Sequence, residues 1–244
     1  MPDAPLVSWG LSLIAFALVG FFAWAVGATT PNATPEARKR RRSFAALGGV
    51  AWLALSGAVA ASGALMRFDF KPPPLMLLMA TMLLLAFGLG FSRIGAELSR
   101  LPLAVLVGWQ AFRLPLELVM HHAASIDLMP SVMSYSGRNF DIVSGGTALL
   151  LSVALLRVQV PSAVVLAWQL LSCALLLNII VVAVAATPLF AAFGEQQLNT
   201  WVCHFPYVWL PAVMVGSAIL GHVVVARRLW ALRRPQSDGL PQRA

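Results

Sequence analysis

Apolar stretches about 20 residues long recur along this chain, from "SWGLSLIAFALVGFFAWAVGA" at 8–28 to "PYVWLPAVMVGSAILGHVVVA" at 206–226. Twenty helical residues at 1.5 Å each cover roughly 30 Å, the thickness of a bilayer's hydrocarbon core. Hydrophobic residues make up 59% of the 244 positions and charged residues 11%, whereas soluble domains carry about 25% charge. A soluble core cannot hide that much apolar surface. The expectation is an all-α, polytopic bundle of seven membrane helices at about 8–28, 45–66, 74–92, 102–122, 142–157, 162–186 and 206–226. Residues 1–229 then form one integral membrane domain, and 230–244 a short, basic, disordered tail.

Charge sets the expected orientation. Arg38 to Arg42, Arg93, Arg100, Arg157 and the five arginines of the C-terminal region place thirteen basic residues on one side. Arg67, Lys71 and Arg138 are the three on the other. The positive-inside rule puts the N-terminus outside and the C-terminus in the cytoplasm, as an odd number of spans requires. The implied location is the inner membrane of a bacterium, with the lipid bilayer as the first partner. The net charge of +8 lies mostly in links between spans, so no nucleic-acid partner is expected. Cys173 and Cys203 are read as free thiols, and Trp201, Tyr207, Trp209 and Trp230 as an interfacial aromatic belt.

The fourth span carries the chemistry. Within "WQAFRLPLELVMHH" (109–122), Gln110, Arg113, Glu117 and His121 are spaced by three, four and four, which gathers them on one helix face. Ionisable groups inside a membrane face the bundle interior or a wet cavity. Arg113 and Glu117 are positioned for an i,i+4 ion pair, and Pro115 for a kink. Two readings follow: a static strut, or the lining of a path for a small polar solute or ion. A cavity reaching Glu117 favours the path; a dry, fully paired stripe favours the strut.

At the outer face, His121, His122, Asp141 and His204 form a possible ligand set for a divalent metal such as zinc. Arg138, Asn139 and Asp141 in "SGRNFD" could bind a charged solute or start the next helix, with Gly137 supplying a turn of positive φ. Gly145 and Gly146 permit close helix approach. Gln169 and Asn178 suit hydrogen bonds to neighbouring helices, and His222 sits near the expected cytoplasmic end.

The blocks "FRLPLELVMHH" (112–122), "GRNFDIVSG" (137–145) and "HFPYVWLP" (204–211) resemble those of a group of uncharacterised bacterial multi-pass membrane proteins. That resemblance attaches no activity; it implies that the three blocks belong together. Lys39 and Lys71 lie in links, so no lysine is available in the last span for a retinal Schiff base. Three function classes are carried forward. The first is transport or binding of a small polar solute or ion along the fourth helix. The others are a structural or sensory subunit, with a membrane-protein partner, and a metal-dependent enzyme with an outer-face site.

Overall fold

The computed structural model describes residues 4–30 and 33–233, and every regular element among them is helical. The helices are α1 (Pro5–Ala28), α2 (Pro35–Ala61), α3 (Pro74–Phe91), α4 (Arg93–Leu98), α5 (Leu103–Trp109), α6 (Arg113–Ser125), α7 (Asp141–Arg157), α8 (Ser162–Ala185) and α9 (Val215–Arg233). A 3₁₀ turn at Gln110–Phe112 joins α5 to α6, and a π-helical turn at Leu210–Met214 leads into α9. Among the described residues six segments are long and apolar enough to cross a membrane, with α5–α6 counted as Leu103–Ser125 and the last as Leu210–Arg233. The expected fifth span is α7, whose 17 residues reach about 26 Å.

Several local expectations are corrected. The run Arg38 to Arg42 is not a link: it lies in the first turns of α2, which begins at Pro35. Thr34 caps that helix by accepting from the Ala37 N–H at 3.2 Å, and Glu36 stands in its first turn. Pro is tolerated there because its missing N–H would have no intrahelical partner. The helical break in the fourth span falls at Gln110–Phe112, one turn before Pro115. Pro115 has no N–H for the carbonyl four residues earlier, so the ladder loosens upstream of it. The expected tail at 230–244 is helical as far as Arg233, and the rest of it lies outside the described residues.

The aromatic belt is corrected too. Trp201, Tyr207 and Trp209 are buried. Tyr207 Oη lies 3.1 Å from Ser8 Oγ on α1, and Trp209 Nε1 donates to Leu53 O on α2 at 3.0 Å. Buried rings of this kind usually find a partner for their polar tip; Tyr207 and Trp209 do, and fasten the approach to α9 onto the first two helices, whereas Trp201 Nε1 makes no hydrogen bond among the described residues. Trp230 is exposed, as a belt residue would be. Cys173 and Cys203 are unpaired.

At the end opposite Arg41, the segments 126–140 and 186–209 fold over the bundle as a cap. Gln197 Oε1 accepts from Val132 N at 3.1 Å and from Ser131 Oγ at 3.3 Å, tying one segment to the other. Gly137 does not adopt positive φ, which among the described glycines belongs to Gly63 and Gly194. Its reason is space: a Cβ there would stand 2.3 Å from Ser131 O.

Candidate functional site: a buried cluster on four helices

The stripe on the fourth span faces inward. Gln110, Arg113 and Glu117 are all at most 2% exposed. Burial without a partner would cost several kcal/mol for either charge, so the pairing decides whether the bundle is stable. The partners differ from the expected i,i+4 pair. Arg113 pairs with Asp141 on α7, through Nε to Oδ2 at 2.5 Å and through Nη2 to Oδ1. Two parallel N–H···O bonds are the strongest geometry a guanidinium offers a carboxylate.

The rest of the arginine is engaged as well. Nη1 donates to Ser172 Oγ on α8 at 2.7 Å and reaches His222 Nε2 on α9 at 3.2 Å. Because arginine only donates, Nε2 is the accepting nitrogen. The imidazole proton then sits on Nδ1, 3.0 Å from Gln169 Oε1. Gln169 Nε2 returns a bond to His222 O at 3.0 Å, so one amide grips both the ring and the backbone of His222. Four helices, α6 to α9, meet through a single guanidinium.

Glu117 is hydrogen-bonded not to Arg113 but to Asn139. Asn139 Nδ2 lies 2.8 and 2.7 Å from the two Glu117 oxygens and 3.1 Å from Met133 O. Asn139 Oδ1 accepts from Asp141 N at 3.0 Å, which satisfies an otherwise free donor in the first turn of α7. Asn139 thus does the capping, while Asp141 is left to pair with Arg113. One turn further along α6, His121 Nδ1 lies 2.9 Å from Ser134 Oγ, and its ring stacks on Tyr135 at 4.3 Å. Gln110 donates to Ala218 O on α9 at 2.9 Å, and Gly221 admits it, since a Cβ there would lie 2.4 Å from Gln110 Nε2.

Small residues make the cluster possible. A Cβ on Gly145 would stand 2.2 Å from Leu114 N, so α7 crosses α6 at the backbone itself. Gly146 meets nothing within 4 Å and plays no such part. Close crossing is what brings the short Asp141 side chain to Arg113. Asn178 donates to Arg138 O at 2.7 Å, holding the entry of α7 against α8.

The proposed metal ligands do not converge. Among the described residues no group of three or more His, Cys, Asp and Glu side chains is placed to hold an ion. Asp141 is turned onto Arg113 and His121 onto Ser134, while His122 and His204 join neither. Arg138 lies with its guanidinium carbon 5.0 Å from the Phe193 ring centroid, in a recess of 620 Å³ shared with Ser136 and Gln197.

The sequence does not single out Ser172 as a partner of Arg113, and it sets His222 too near one end; the expected bond from Gln169 to a neighbouring helix is the one it makes to His222. The last helix runs to Arg233, beyond the expected 226, which moves His222 to mid-helix. Polar residues on spans six and seven were the available signal. No protein-family model matches the chain, and comparison with curated proteins and with solved structures finds no match.

Proposed function

We propose that this chain is a structural or sensory subunit of a membrane complex, whose bundle is locked by the Arg113 cluster. One observation carries the reading: every group hydrogen-bonded to the Arg113 side chain belongs to α7, α8 or α9, and Arg113 is 1% exposed. A transport site needs groups that exchange partners with a solute. Here they are engaged with one another, and neither the apolar cavity between α1, α2, α3 and α9 nor the recess at the cap is lined by Arg113 or Glu117. In this reading α7 is the fifth crossing and brings the total to seven, the basic end of α2 faces the cytoplasm, and the membrane is a bacterial inner one.

The sensory version rests on the recess beside Arg138. Its neighbour Asn139 touches both Glu117 and Asp141. A small polar solute drawn to Arg138 would therefore act on the lock through one residue. The test is reconstitution of the full chain into vesicles holding a pH-sensitive dye. Under imposed pH steps, wild type and Glu117→Gln should leak protons no faster than empty vesicles. A proton flux that disappears in Glu117→Gln would overturn the subunit reading and restore Glu117 to a conduction path.

A further inference from the structure

The first half of the bundle encloses a cavity of 520 Å³ between the pair α1/α2 and the pair α3/α9. Its wall is apolar, with Leu18, Phe22, Trp52, Met82 and Trp109 among the lining side chains. The two indoles have their N–H groups occupied, Trp52 by Ala212 O and Trp109 by Ser217 Oγ, both at 2.8 Å. They therefore offer the cavity only carbon. Phe44 and Leu85, on α2 and α3, line it too and are largely exposed, so the cleft opens sideways where a bilayer would lie.

Among the described lining residues, Arg41 is the one charged side chain, and it stands at one end. Arg41 pairs with Glu97 on α4, which places α4 at that same end. One carboxylate does not use up a guanidinium, which has five N–H donors. Arg42 lies alongside, its Nε 3.1 Å from where a Cβ on Gly27 would be, next to the lining residue Val26. From Arg41 to Trp52 the wall of α2 runs eleven residues, about 16 Å, which is one leaflet of hydrocarbon.

We infer that this cleft seats an acyl chain of an anionic glycerophospholipid, entering between α2 and α3, with its phosphate at Arg41 and Arg42. The depth fits a lipid tail from the interface to the midplane. The basic rim selects the headgroup, as cationic pockets between membrane helices do. The apolar wall gives a polar solute nothing to bind.

The experiment uses the full chain in mixed phosphatidylglycerol and phosphatidylcholine bilayers, with brominated acyl chains on one lipid or the other. Bromine quenches tryptophan at contact, and subtracting a Trp52→Phe variant isolates the Trp52 signal. Brominated phosphatidylglycerol should quench Trp52 at about one-tenth of the mole fraction that brominated phosphatidylcholine requires. Gly48→Phe should remove the quenching, because a Cβ at Gly48 meets nothing within 4 Å and its ring can fill the cleft. Arg41→Gln with Arg42→Gln should leave quenching but equalise the two lipids. Gly48→Ala, with matched thermal melting, controls for folding. Equal quenching by both lipids, unchanged in Gly48→Phe, would reduce the cleft to ordinary lipid contact and overturn the site. Displacement of the brominated phospholipid by an equal fraction of free oleate would overturn its assignment to a phospholipid.

Discussion

The two halves of the bundle solve burial in opposite ways. Helices α6 to α9 close on a charged cluster whose polar groups find partners across helices. Helices α1, α2, α3 and α9 leave a 520 Å³ apolar space beside exposed side chains. In hydrocarbon, an apolar cleft can be filled by lipid, while a polar one must be completed by protein. Closure is therefore demanded only where the charges are, and α9 serves both halves by presenting His222 to one and Gly216 and Leu220 to the other.

The sharpest way to break this contrast is to leave a charge stranded in the closed half. Asp141→Asn removes the counter-charge of Arg113 and should destabilise the detergent-extracted protein by about 3–5 kcal/mol. The double variant Arg113→Met with Asp141→Leu should melt well above that single variant, because no unpaired charge remains. A wild-type melting temperature for Asp141→Asn would show that the pair contributes nothing to the closed half.

A smaller effect sharpens the contrast in packing. Gly145→Ala drives a methyl into the backbone of α6 and should cost about 1–3 kcal/mol. Gly48→Ala, in the open half, should be neutral or stabilise by up to about 1 kcal/mol through helix propensity. Equal melting temperatures for the two would mean that α6 and α7 do not cross as closely as described.

Smallest of all is the change outside both halves, in the link after α2. Hydrogen bonds from Arg67 hold the Asp69 carboxyl below the ordinary carboxylate range. A folded value lowered in this way contributes stability above the unfolded titration, and that contribution is lost as pH falls through the folded value. The pair is exposed and screened by solvent. Asp69→Asn should therefore melt within error of wild type at neutral pH, and any small deficit should vanish in acid. A clear loss at neutral pH would make this link part of the fold's support.

What the sequence disclosed follows from what each signal encodes. The apolar lengths reveal the long helices, and the three-four-four spacing of Gln110, Arg113, Glu117 and His121 reveals their inward face, because both are local. Partners are not local. Nothing near Arg113 favours Asp141, 28 positions away, over Glu117; the choice depends on Gly145 letting α7 approach. The basic run of α2 misled because Pro35 and Thr34 start the helix well before the apolar stretch begins. The cleft stayed invisible, since lining residues such as Leu18 and Met82 look like any other core residue.

The 3₁₀ turn at Gln110–Phe112 has a consequence for how the helices of such a bundle meet. Side chains three apart on a 3₁₀ turn eclipse one another, so Gln110 and Arg113 fall in line along α9, where their partners Ala218 and His222 stand four apart. A step of three on one rod is matched to a step of four on the other. The turn acts as a vernier: its tighter winding sets the rotation of everything from Arg113 onward relative to α5. The azimuth of the charged cluster is thus set at three residues, and Gln110 and Arg113 meet α9 in register because of it.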